Sequence, residues 1–326
     1  MNDSLQALLK GAIDYAGAFP PASLGPEQAA QNYFQYRAAP DAWMLGRLVC
    51  PATELPALAR IIEQQMQSSG GNDGWAVAAV LSGGATSAEW RTTLADDLRA
   101  VGDFPLPAKV DAVEVALPDS LTRATSYGEL RELLGPLLDE LAGAAPPAAT
   151  IFIESPPAAE AVRGDLICWT VKYLGEHQKQ KALPAGKMAF KLRTGGITAQ
   201  PFLSSVELAR AICVLRDAGV SWKATAGLHH PLPHYDVALG AYAAGFVNLL
   251  SAAVMAGVHH LPDFEVQLIV EDESAASFQF GLPEFRWNGL SATLEQVESV
   301  RRRSLLSFGS CSFDEPRNDL RVLGWL

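Results

Sequence analysis

The sequence predicts one (β/α)8 TIM barrel domain over residues 1–326, with a helix plus a β-hairpin inserted at about 237–300, before the last strand. Three observations predict it. Short β-branched runs alternate with longer helical stretches in six consecutive units, as in a parallel sheet with right-handed crossovers. The runs are almost continuously apolar, which suits strands covered on both faces. The length of 326 residues exceeds the roughly 250 typical of a closed barrel and favours it over an open doubly wound sheet.

Taken in order, residues 11–16 (GAIDYA) supply a first strand. Residues 43–50 (WMLGRLVC) read as a strand before the helix LPALARIIEQQM. Residues 75–81 (WAVAAVL) end at Ser82-Gly83-Gly84, before the helix SAEWRTTLADDLRAV. Residues 110–117 (VDAVEVAL) precede LRELLGPLLDELAGA, and residues 150–154 (TIFIE) precede a helix over 158–176. Residues 188–193 (MAFKLR) end at Thr194-Gly195-Gly196, and SSVELARAICVLRDAG is an amphipathic helix. Residues 222–226 (WKATA) end at Gly227, ahead of His229 and His230. The alternating stretch FQFGLPEFRWNG reads as the inserted hairpin, ATLEQVESVRRR as a helix, and residues 305–308 as the last strand.

Hydrophobic residues make up 49% and charged residues 19%, which suits a large core and excludes disordered and collagen-like chains. A net charge of −11 repels phosphate backbones, so no nucleic-acid partner is expected. The four cysteines form no CxxC pair and read as reduced thiols. The N-terminal MNDSLQALLKGAIDYAG lacks the apolar segment of a signal peptide. Residues 237–258 carry no charge over a membrane-spanning length. Asn248, Ser251 and three glycines make them a buried, tightly packed helix instead. The expectation is a cytoplasmic protein, off the membrane, with homo-oligomerisation open.

In such a barrel the chemistry gathers where the strands end at their C-termini. Lys191 and Lys223 sit inside otherwise apolar strands there, and lysine is almost never buried unpaired. Two adjacent cations depress one another's pKa, so one becomes a neutral amine able to attack a carbonyl. The alternative is that both lysines are ion-paired with Glu114 and Glu154 and do no chemistry.

The segments FKLRTGG, WKATAG and FGSCS resemble the class I deoxyribose-phosphate aldolase family. The resemblance implies a Schiff-base lysine at Lys191, a tuning lysine at Lys223, a catalytic carboxylate at Asp111 and a phosphate cradle in the last strand. Leu192-Arg193 and the pair His229-His230 depart from that pattern.

Gly195, Gly196, Gly227, Gly309, Ser310 and Ser312 lie in turns whose backbone N–H groups suit an anion. Arg47 and Arg193, at strand ends, suit a carboxylate or phosphate clamp or an internal salt bridge. Asp14 is a first-strand site residue or a turn residue. His229, His230 and His234 fall within six residues, on a stretch stiffened by Pro231 and Pro233. With Glu114 and Glu154, His229 and His230 form an alternative site for a divalent metal such as Zn or Mn. His259 and His260 read as a helix C-cap, and Arg301–Arg303 as a solvated helix face.

These features point to an enzyme, lyase or aldolase-like, acting on a small anionic carbonyl metabolite without a cofactor. Asp111 or Glu154 serves as the proton carrier, Glu114 is a further catalytic carboxylate, and His229 or His230 are further acid–base groups. A metal-dependent lyase, isomerase or hydrolase is the second reading, and a non-catalytic ligand-binding barrel the third.

Overall fold

The computed structural model describes residues 3–69, 74–104 and 108–326; the first two residues of the N-terminal stretch read above lie outside it. The elements follow in chain order. Helix α1 (Asp3–Leu9) leads into β1 (Ile13–Tyr15) and α2 (Pro26–Arg37). Next come β2 (Leu45–Pro51), α3 (Leu55–Ser69), β3 (Ala76–Val80), α4 (Ser87–Gly102), β4 (Lys109–Ala116) and α5 (Tyr127–Ala144). They are followed by β5 (Thr150–Glu154), α6 (Glu160–Gln180), β6 (Met188–Arg193), α7 (Ser205–Ala218) and β7 (Trp222–Thr225). Beyond β7 lie β8 (His234–Asp236), β9 (Ala241–Ala243), α8 (Phe246–His259) and α9 (Asp263–Glu271). A sheet of β10 (Phe278–Phe280), β11 (Glu284–Trp287) and β12 (Leu290–Thr293) precedes α10 (Leu294–Arg303), β13 (Leu305–Ser310) and α11 (Asp314–Val322).

Eight parallel strands close into a barrel in the order β1–β13–β7–β6–β5–β4–β3–β2. Side chains alternate across each strand. Val49, Ala78, Ala112, Phe152 and Ala189 form one buried cluster in the lumen. Phe190, Leu192, Trp222 and Ala224 point the other way, into the larger core shared with the helices. Lys191 therefore faces the lumen between two outward apolar neighbours, and Lys223 does the same on β7.

Local chemistry fixes the helix ends. Thr86 with Glu89, Ser204 with Glu207, and Thr293 with Gln296 form reciprocal capping boxes. Gly219, at φ +66°, closes α7 in the left-handed region.

The segment between β7 and β13 departs from the sequence reading. The uncharged run over 237–258 is a helix only from Phe246, because its first part turns back through Gly240 (φ +64°) to pair β9 with β8. The α8 helix is buried, and its Asn248 donates to the carbonyls of Ile269 (2.7 Å) and Asp272 (2.8 Å) at the end of α9. Among the described residues, no helix is long and apolar enough to cross a membrane. The hairpin gains a third strand, since the residues 290–293 (LSAT) pair with β11 before Thr293 caps α10.

His259 closes α8 as expected, its Nε2 2.9 Å from the Ser291 carbonyl. Arg301 is a correction. It is buried and donates to the carbonyls of Leu8 (2.7 Å), Lys10 (3.4 Å) and Leu305, tying the end of α1 to β13. Only Arg302 and Arg303 form the exposed basic face. All four cysteines are free thiols.

Candidate active site in the barrel lumen

Register brings the two lysines side by side. Lys191 on β6 pairs with Lys223 on β7, which in turn pairs with Ser307 on β13. Three carboxylates separate and surround the cations. Lys223 Nζ lies 2.5 Å from Asp14 Oδ2 and 2.6 Å from Glu114 Oε1. Lys191 Nζ lies 2.9 Å from Glu114 Oε2 and 3.1 Å from Glu154 Oε2. Arg193 Nε donates to the remaining oxygen, Glu154 Oε1. The result is an alternating chain across the lumen: Asp14, Lys223, Glu114, Lys191, Glu154, Arg193. Three negative charges meet three positive ones, so the chain of charges is neutral as a whole.

Asp14 is anchored further by the Ser307 hydroxyl (2.7 Å) and the Arg47 backbone N–H (2.9 Å). Lys223 also stands 5.4 Å from the Phe152 ring centre, a cation–π distance.

The electrostatics follow from these contacts. Burial by itself would raise the Glu114 carboxyl, but Lys191 and Lys223 outweigh it and hold the group well below the carboxylate range. Glu154 behaves likewise under Lys191 and Arg193. Burial by itself would lower Lys191, but Glu114 and Glu154 outweigh it and hold the ammonium above its ordinary value. The expected depression of Lys191 by Lys223 is thus overturned, because the intervening carboxylates screen one cation from the other.

Exposure separates the two lysines. The Lys223 side chain is 1% exposed and Lys191 8%, while Arg193 reaches 44%. The chain of charges therefore runs from a closed interior at Lys223 to an open rim at Arg193.

The expected site residues fall into four groups. Glu114, Glu154, Lys191, Lys223 and Arg193 converge as described. Asp111 does not join them. The β3–β4 register shifts between Val77 and Ala78, which pair with Val110 and Ala112, so Asp111 is the extra residue of a bulge. Its carboxylate binds Arg47 Nε at 2.6 Å. Arg47 is not at a strand end either, because β2 runs on to Pro51.

His229 and His230 leave the lumen for the last helix. His229 Nδ1 lies 3.0 Å from Glu315 Oε2, and His230 Nδ1 2.6 Å from Asp319 Oδ2. Burial outweighs Glu315 and lowers the His229 pKa. The alternative metal set of Glu114, Glu154, His229 and His230 is not assembled. Among the described residues, no group of three or more His, Cys, Asp or Glu is placed to hold a metal.

The glycines have packing reasons. A Cβ on Gly195 would meet the Phe202 ring at 3.0 Å, and one on Gly196 would meet Pro201 Cγ at 2.9 Å. Gly227 needs φ +75°, and a Cβ on Gly309 would touch Thr225 Oγ1 at 3.3 Å. The helix after Gly196 begins only at Ser205, with its own capping box. Ser312 Oγ accepts from the Glu315 N–H (3.1 Å), and Ser310 Oγ lies 3.4 Å from the Ser312 N–H. The first turn of α11 carries Asp314 and Glu315, which oppose a bound anion.

Asp14, open between a site role and a turn role in the sequence, belongs to the network, and so does Ser307, which the sequence reading missed. The available signal was an aspartate inside the apolar strand β1, with Gly46 opposite. A Cβ on Gly46 would lie 2.4 Å from Asp14 Oδ1, so the glycine makes room for the carboxylate. A cavity of about 450 Å³ lies on the outer flank, against Leu208, Pro233, Tyr242 and Val270, and includes no member of the network.

No family model and no curated protein matches the sequence. Among solved structures, a monomeric dihydrodipicolinate synthase variant is similar over 99% of this chain and 99% of its own, at 11% identity and a TM-score of 0.37. At that level the likeness carries nothing about chemistry.

Proposed function

We propose that the chain is an enzyme of the lyase or aldolase type, acting on a small anionic carbonyl compound through the amine of Lys191. The observation that carries this reading is the placement of Lys191 Nζ between Glu114 and Glu154, 2.9 and 3.1 Å away, at the more open end of a buried charge chain. An inert barrel has no need of such a chain. Replacing buried ion networks by apolar side chains is often neutral or stabilising.

The chemistry starts from the ammonium. Lys191 gives its proton to Glu154 or Glu114, and the freed lone pair attacks the substrate carbonyl carbon. The carbonyl electron pair moves to oxygen, which takes up protons and leaves as water, giving an iminium ion. That cation then draws the electrons of the bond between the α and β carbons as it breaks. The β-hydroxyl gives its proton to a neighbouring carboxylate, and the β carbon leaves as an aldehyde. The enamine left on Lys191 takes up a proton and is hydrolysed by water to free the product and the amine. Lys223 competes for Glu114 and so sets how firmly Glu114 holds the Lys191 proton. This arrangement keeps the resemblance to class I deoxyribose-phosphate aldolases, with the carboxylate role passing from Asp111 to Glu114. The reading requires no metal or organic cofactor.

The test is a panel of short keto acids and phosphorylated aldehydes, followed by product detection. Cleavage or condensation of at least one anionic member, abolished by Lys191→Arg, supports the reading. Activity that survives Lys191→Arg contradicts it.

A further inference from the structure

Resting on the Schiff-base reading, we infer that Arg193 anchors the anionic group of the substrate, and that seating an anion there releases Glu154 to take the proton from Lys191. The site then generates its free amine only when the substrate is aboard.

Three features lead to this. Arg193 follows Lys191 by two residues on β6, so both face the lumen, about 7 Å apart along the strand. Among the described residues, the guanidinium's hydrogen bonds run through Nε to Glu154 alone, and the side chain is 44% exposed. Its terminal nitrogens keep the planar fork that matches a carboxylate or phosphate. Arg47 offers less, being on another strand and held by Asp111 at 2.6 Å.

Glu154 divides its two oxygens, Oε1 to Arg193 and Oε2 to Lys191 at 3.1 Å. Both cations keep it ionised. An incoming anion shares the Arg193 charge and weakens its hold on Oε1, so Glu154 becomes more basic. One proton then leaves Lys191 Nζ and bonds to Glu154 Oε2. The charge of the pair is unchanged, nothing is oxidised or reduced, and the neutral amine is ready for the carbonyl. Strand spacing places that carbonyl within a few bonds of the anion, so the substrate class is a short keto acid or a short phosphorylated carbonyl compound.

The experiment measures how fast neutral propionaldehyde with cyanoborohydride labels Lys191, with acetate or inorganic phosphate added separately. Wild type should label slowly alone and several-fold faster as one anion saturates, and the anion that works identifies the substrate's group. R193Q removes the cation from Glu154. It should therefore label faster than wild type without any anion, because Glu154 takes the proton more readily, and ignore both anions. R193K keeps the charge and should restore slow basal labelling. Labelling that neither anion accelerates, or an R193Q protein that still responds, overturns the inference and leaves the Schiff-base reading standing. If no carbonyl compound labels Lys191 in any variant, both fall together.

Discussion

Lys191 and Lys223 are register partners on adjacent parallel strands, yet they do not face each other as bare charges, because the two oxygens of Glu114 stand between them at 2.9 and 2.6 Å. Both buried lysines of the lumen share this one carboxylate. Two cations on neighbouring strands would otherwise repel in a region of low dielectric.

Glu114→Leu tests that dependence. It removes a partner from both lysines at once, and breaking a buried pair costs about 3–5 kcal/mol. Urea denaturation should show a loss of that size. Adding Lys223→Met, which takes away the excess cation, should recover much of it. A loss under about 1 kcal/mol for Glu114→Leu would mean that water enters the lumen freely.

Stability should depend on pH on both sides. Glu114 and Glu154 titrate below their ordinary 4.5 in the fold, so their contribution is complete above that pH and fades as pH falls through the folded values. Lys191 titrates above its ordinary 10.5, so its contribution is complete below that pH and fades as pH rises through the folded value. His229 and His234 are lowered from 6.5 by burial, which adds an earlier decline as pH falls below about 6.5. Urea midpoints across pH should trace a plateau with both shoulders, and Lys191→Met should flatten the alkaline one. A profile unchanged by Lys191→Met contradicts the assignment.

Gly46→Ala probes the seat of Asp14. Its Cβ would fall 2.4 Å from Asp14 Oδ1 and 3.1 Å from the Gly11 carbonyl, so Asp14 must move away from Lys223. The expected cost is about 1–3 kcal/mol, as for other overpacked sites. Gly143→Ala, in helix α5 with open space around the added carbon, is the control. It should be neutral or up to about 1 kcal/mol stabilising. Equal effects in thermal denaturation would remove the steric argument.

The sequence carried the barrel because most strands are apolar runs that alternate with longer helical stretches. Lys191 and Lys223 stood out for the same reason, as charges inside such runs. Asp14 did not, because β1 is only three residues long and a lone aspartate there reads equally well as a turn. Asp111 misled because a bulge is silent in the sequence: one extra residue took it out of the pairing and onto Arg47. The histidines misled because their partners, Glu315 and Asp319, lie on a helix more than 80 residues later, a distance that spacing within HHPLPHYD does not encode. The prolines of that segment likewise hid the pairing of β8 with β9.

The most direct test of the account is the site of covalent capture. The protein is treated with short anionic aldehydes and ketones plus borohydride, digested, and each peptide weighed. The account predicts one stable adduct, on the peptide that carries Lys191, absent in Lys191→Arg. Lys223→Leu should form it faster, because Glu114, relieved of the Lys223 cation, then takes the Lys191 proton more readily. If no compound leaves an adduct on Lys191, or adducts scatter over exposed lysines, the amine chemistry is contradicted. The lumen would then hold a structural charge network and nothing more.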